Sequence, residues 1–197
     1  MRAVFASGTP SFGSCAGLQV ATVAAGGTVR PNGRGAEAPF ARGIAPTGEG
    51  AAHPLFAGRP ARFDAPSIHS DEVAELPDGA ILLASNAHTR VQAAEIRSGE
   101  GVFWGVQYHP ELSLGEVAAA IRRQADDLGA KGALASPEAV EQEAALIDAL
   151  DRDARDANPA ARLRLDAEVI DQGRRRREIR NFLEELVLPT RSRRGRA

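Results

Sequence analysis

The chain has a single cysteine, lysine, tyrosine and tryptophan in 197 residues, and each scarcity excludes something. One cysteine, Cys15, closes no internal disulfide, which excludes a disulfide-stapled scaffold and predicts a reducing, cytoplasmic setting. No Cys/His cluster has zinc spacing, so neither metal nor cofactor is expected. No apolar run approaches the roughly 18 residues of a membrane helix, and residues 1–7 are too short an apolar stretch for a signal peptide; no membrane partner is expected. Aromatic residues make up 5% of the chain, and none interleaves the arginine run at residues 174–177. That run, flanked by Asp171, Glu178, Glu184 and Glu185, therefore reads as a solvated helix face and not as a nucleic-acid site. The formal charge of −2 adds no global pull toward nucleic acid. With Lys131 the sole lysine, the basic residues are nearly all arginine, as high-GC codon usage produces.

What remains is enough for a core: 43% of the residues are hydrophobic. Residues 1–111 are rich in glycine, proline and short β-like runs; from Leu112 on, alanine, arginine and acids recur at helical spacing. Residues 10–14 read as a strand entering Cys15, and Leu18, Val20, Ala21 and Ala24 begin a helix that stops at Gly26-Gly27. Glycine and proline punctuate residues 28–60, predicting loops with short strands. Residues 61–69, 80–85, 91–96 and 101–108 read as strands, the last two joined at Ser98-Gly99-Glu100-Gly101. Ser113 and Glu116 form a capping box for a helix lined by Val117, Ile121 and Leu128. Ser136-Pro137 and Asn158-Pro159 each start a further helix, residues 174–186 suit a fourth, and the tail from Thr190 is expected to fray.

The chemistry centres on Phe12-Gly13-Ser14-Cys15-Ala16-Gly17-Leu18-Gln19 and Tyr108-His109-Pro110-Glu111. A lone cysteine is most often a small buried hydrophobe. Here Gly13 and Gly17 suit a sharp strand-to-helix turn that lifts a nucleophile clear of a sheet. The turn sets the thiol at a helix N-terminus, which favours thiolate, and aims the Ala16 amide at a developing oxyanion. His109 leaves a buried strand, Pro110 stiffens the exit, and Glu111 can hold the far ring nitrogen. Nucleophile, base and orienter together point to cysteine-based acyl transfer. His53 and His88 match no motif.

F-G-S-C-A-G-L-Q with V-Q-Y-H-P-E resembles the triad-type (class I) glutamine amidotransferases, most closely the GMP synthase-type glutaminase domain. The intervening Ile68-His69-Ser70-Asp71-Glu72-Val73 is similar to that branch's S-H-x-D-x-V segment. The resemblance implies that Cys15 attacks the side-chain amide of glutamine, that His109 shuttles the proton to departing ammonia, and that Glu111 orients His109. It implies that Gln19 and the His69-Ser70 backbone hold the substrate. Ammonia would pass to a separate synthetase chain, since no ATP-pyrophosphatase signature follows.

Members of this family usually carry several strands before the elbow, with a glycine loop that completes the oxyanion hole. Only nine residues precede Pro10. The expectation is therefore a flavodoxin-like open, mostly parallel α/β sheet in residues 1–115, lacking its first strands. A helical C-terminal extension in residues 116–197 would follow. The nucleophile strand would lie near an open edge, half the oxyanion hole would be missing, and exposed apolar faces would favour a homo-oligomer. Either the true start lies upstream of Met1 or the gene is truncated. Two further readings stand beside the glutaminase: a non-catalytic binding or regulatory module, and a γ-glutamyl hydrolase acting on another amide.

Overall fold

The computed structural model describes residues 1–194. A short helix, α1 (Arg2–Ala6), precedes β1 (Ser11–Ser14) and α2 (Ala16–Ala24). Then come β2 (Thr28–Pro31), β3 (Phe40–Pro46), α3 (Gly48–Ala52), β4 (Phe63–Pro66) and β5 (Asp71–Glu75). Strands β6 (Ile81–Ser85), β7 (Ala93–Ser98) and β8 (Gly101–Val106) complete the β region. The helical part is α4 (Leu114–Arg123), α5 (Ala125–Ala130), α6 (Pro137–Arg152) and α7 (Ala157–Leu163). It continues through α8 (Ala167–Ile170), α9 (Gln172–Arg175), α10 (Arg177–Phe182) and, after a π turn at Leu183–Val187, α11 (Leu188–Arg194). Helix α11 runs on past Thr190, where fraying was expected.

Six strands form one sheet in the order β1-β8-β7-β6-β3-β4, and β2 pairs with β5 in a second. The expected α/β sheet is present, with parallel pairing confined, among the described strands, to β1 and β8. The other neighbours run antiparallel. The physical reason is the length of the connections. Gly99, at φ +57°, and Glu100 close β7 directly onto β8, and a two-residue turn cannot return a parallel strand. β1 joins β8 from far along the chain and is free to pair in parallel; it is the end strand in this order.

Alternate residues of β7 and β8 enter opposite cores. Ala94, Ile96 and Phe103 pack with Leu18 and Ala21 of α2. Ala93, Trp104 and Val106 join Phe63, Tyr108 and Phe182 on the other face. A third core gathers Leu114, Val117 and Ile121 of α4, Ile147 and Leu150 of α6, and Leu163, with Ala36 and Phe40 from the β region. The helical part thus shares cores with the sheet on both sides of residue 115.

The capping box at Ser113 and Glu116 and the Ser136 cap form as expected. The third helix starts earlier than Asn158, because Asp156 accepts from the Asn158 amide and caps it. The fourth is split into α9 and α10 instead of running unbroken over residues 174–186. The arginine run is solvated only in part: Arg174 and Arg176 are exposed, but each of the four is also bonded. Arg174 pairs with Glu168, Arg175 is 4% exposed, and Arg176 and Arg177 bond main-chain carbonyls of the β region. The cause is long-range: the acceptors at Leu112, Glu111 and Gly58 lie 63, 65 and 119 residues away.

Candidate active site

Cys15 sits between the end of β1 and the start of α2, with φ +48° and ψ −107°. A left-handed φ on a non-glycine residue is costly, and here the surroundings impose it. The Cys15 amide donates to Val106 O at 2.8 Å, which locks the turn onto β8. A Cβ on Gly13 would stand 3.0 Å from Gly17 Cα, so the strand and the helix that follow each other through Cys15 touch backbone to backbone. Gly13 is therefore required for space; at Gly17 a Cβ would meet nothing within 4 Å. The amide of Ala16, first residue of α2, has no intrahelical partner by construction and is available to an anion.

The candidate base, His109, arrives from the middle of the chain. The His109 amide donates to Pro66 O at 2.8 Å, tying the turn after β8 to the end of β4. Its ring Nδ1–H donates to Glu111 Oε1 at 2.7 Å, which leaves Nε2 for the thiol. Burial disfavours the imidazolium, but hydrogen bonding to Cys15 and Glu111 outweighs it and holds the His109 pKa at about 9. The Ser14 hydroxyl donates to the same Glu111 oxygen at 2.8 Å, so the residue beside the nucleophile also fixes the orienter. Burial would raise the Glu111 carboxyl; the bonds from His109 and Ser14 keep it below the ordinary value. Glu111 thus ties His109 to Ser14 at the elbow, and Cys15 acts on the same imidazole.

The segment after β4 passes beside this line. Cys15 Sγ lies 3.9 Å from Ile68 O. Gln19, one helical turn beyond the nucleophile, donates through Nε2 to Asp71 O at 3.2 Å and to Gln107 Oε1 at 3.4 Å. Ser70 Oγ accepts from Lys131 Nζ at 2.9 Å, and its carbonyl accepts from the Asn32 amide. The His69 ring points inward, between Glu37 Oε2 at 3.0 Å and Asp71 O at 2.9 Å. Gln19 and residues 68–71 are therefore neighbours of Cys15, while the His69 side chain serves the interior.

Sequence reasoning did not find Glu37. It is buried, accepts from His69, Asn86, Thr89 and Gln92, and exchanges main-chain bonds with His69. These bonds hold its carboxyl below the ordinary range against the effect of burial. It lies in a glycine-rich stretch with no local signal. Ser14 was missed as well, although its position next to Cys15 was the available clue. Among the described residues, no three His, Cys, Asp or Glu side chains converge with metal-ligand geometry, and no helix is long and apolar enough to cross a membrane. A groove of about 620 Å³ lies on the outer face of α2, lined by Gln19, Val20, Val23 and Val29 with α1.

Comparison with known proteins bears on the same region. The family model described as glutamine amidotransferase class-I matches residues 1–125. A gamma-glutamyl-L-1-hydroxyisopropylamide hydrolase from a Pseudomonas species is 42% identical over 192 residues, covering 94% of this chain and 64% of its own. A glutamine-hydrolyzing GMP synthase from Thermomicrobium roseum is 36% identical over 56% of the chain and 19% of its own length. One subunit of the glutamine-hydrolyzing GMP synthase from Methanoculleus marisnigri is 35% identical over 54% of each chain. The chain thus spans from about a fifth to just under two thirds of these relatives. A glutamine amidotransferase from Thermotoga maritima shares the fold, with a TM-score of 0.61 at 18% identity over 92% of this chain and 66% of that one. With 125 consecutive residues matched, including the elbow, the H-S-D-E-V segment and the H-P-E turn, the chain belongs to the class-I glutamine amidotransferase family.

Proposed function

We propose that this protein hydrolyses γ-glutamyl amides through a cysteinyl thioester, with glutamine as substrate. The observation that carries this reading is that Glu111 bonds both the His109 ring and Ser14, beside the Cys15 thiol at a strained elbow, with the imidazole held charged near neutral pH by Cys15 and Glu111. Cys15 sulfur attacks the γ-carboxamide carbon, and the oxyanion forms at the Ala16 amide. His109 gives a proton to the departing nitrogen, ammonia leaves, and a γ-glutamyl thioester remains. Water, deprotonated by His109, then cleaves the thioester to glutamate and free thiol. Glu111 holds the imidazolium; Gln19 and the backbone of His69 and Ser70 receive the amino-acid end of the substrate.

Ammonia and glutamate release by the wild type and Cys15→Ala tests the proposal. Activity in the first and none in the second supports it; equal release from both overturns it. By analogy with the Methanoculleus GMP synthase relative, a separate synthetase chain consumes the ammonia, with co-purification as the check. Light scattering tests for a homo-oligomer burying the exposed Val20 and Val23.

A second reading has its own support. The Pseudomonas hydrolase aligns over 94% of the chain, helical part included, whereas the GMP synthases align over just over half. An N-substituted γ-glutamyl amide undergoes the same steps with an amine leaving in place of ammonia. A higher kcat/KM for N-alkyl γ-glutamyl amides than for glutamine decides for this substrate class.

A further inference from the structure

The C-terminal helical segment reaches the base side of the site in three places. The Tyr108 hydroxyl, on the residue before His109, donates to Glu178 Oε1 at 2.8 Å. Arg176 Nη2 donates to Glu111 O at 3.1 Å, and Arg175 Nε donates to Leu112 O at 2.8 Å. Three residues of one short stretch therefore grip residues 108, 111 and 112, which bracket His109.

The grip is itself anchored. Glu178 is fully buried and receives two bonds from Arg59, Nε to Oε1 at 2.8 Å and Nη2 to Oε2 at 2.7 Å. Arg59 also bonds Glu168 at 2.7 Å and the Arg175 carbonyl at 3.2 Å. The second arm of Arg175 bonds the Val169 carbonyl at 2.6 Å. A buried charge cluster of this kind is costly to assemble and more costly to break on one side, so it defines one geometry. Apart from Arg59, its members lie beyond the 125 residues that match the family model, yet within the span aligned to the Pseudomonas hydrolase.

We infer that Arg175, Arg176 and Glu178 are positioning residues that clamp the turn carrying His109 and Glu111, so that the C-terminal helices are part of the catalytic apparatus and not a cap on the sheet. The inference rests on the proposed hydrolase reading for its kinetic consequence but not for its structural one. Between Glu111 and the Ser113 cap of α4 lies only Leu112, whose carbonyl Arg175 holds, and the Arg176 bond holds Glu111 itself. Loosening it lets Glu111 drift from Nδ1, and a displacement of about 1 Å in a catalytic group is sufficient for a large loss of rate. The charged and titratable groups facing His109 are Cys15 and Glu111; Arg176 also faces Glu116 of the α4 cap.

Arg176→Met and Tyr108→Phe test this. Arg176 is at the surface, and Tyr108→Phe keeps the ring while Arg59 still holds Glu178. Both variants are assayed for kcat and KM on glutamine and an N-alkyl γ-glutamyl amide, and the His109 imidazole is titrated by NMR. The expected result is a kcat about tenfold lower with KM within about twofold, together with a His109 midpoint lower than in the wild type. A His109 midpoint unmoved in both folded variants overturns the clamp, whatever happens to kcat. A wild type without activity on either substrate, but with the midpoint displaced in both variants, overturns the proposed function and supports the clamp.

Discussion

The proposed nucleophile and the proposed base of this site are built by different means. Around Cys15 the determinants are mostly chain neighbours: Gly13 and Gly17 in backbone contact, a left-handed φ, and a helix that starts at the next residue, with Val106 O on β8 as a distant tie. Around His109 they come from far away: Pro66 at the end of β4, Ser14 beside the nucleophile, and the arginines of the C-terminal helices. A strained turn depends first on the residues that form it, with a distant bond to hold it in place. A ring orientation can be specified by any group that reaches it. The nucleophile side should therefore be brittle to local change and the base side to distant change.

The sharpest break is Cys15→Gly. Activity should fall by about 10⁴-fold or more, while the melting temperature rises, because glycine relieves the left-handed φ by about 1 kcal/mol or more. Thermal melts and ammonia release, measured side by side, check both. Glu111→Gln comes next, with a loss of about 10²–10⁴ in kcat and a fold that is otherwise retained. The pH profile sharpens the same point. His109 is raised from 6.5 to about 9, so its charge contributes stability that is fully present below pH 6.5 and lost as pH rises through about 9. The alkaline limb of kcat/KM should fall near pH 9 in the wild type and at lower pH in Glu111→Gln. On the nucleophile side, Gly13→Ala forces a Cβ against Gly17 and should cost about 1–3 kcal/mol in denaturant unfolding. The smallest effect is Ser113→Ala, which removes one half of the α4 capping box just past Glu111. It should cost about 1 kcal/mol and leave kcat within about twofold, since the cap supports the helix and not the ring.

The residues of the proposed triad were legible because their signals are local. A cysteine between glycines and a histidine two residues from a carboxylate announce themselves within a few positions. Strands β6, β7 and β8 were legible for the same reason, since alternation and a hairpin turn are short-range. Strand β5 was hidden inside the H-S-D-E-V motif, where acidic residues mask the alternation; Val73 alone enters the core. The third helix was misplaced because two capping side chains, Asp156 and Asn158, compete within three residues, and the earlier one engages. Glu37 and the arginine run were misread or missed for a deeper reason. A charged residue in a polar stretch looks solvent-facing until its partners are known, and those partners lie tens to more than a hundred residues away.

From the chain alone came the proposed reaction type, the three proposed reacting side chains and the family, because each depends on residue identities at short spacing. The tertiary structure decided which of the pairings are parallel, that the His69 ring turns inward to Glu37, and that Arg175 and Arg176 bond the main chain at Leu112 and Glu111. Pairing direction, ring orientation and burial of charge depend on where distant segments come to rest, and no periodicity in a single stretch of sequence encodes that.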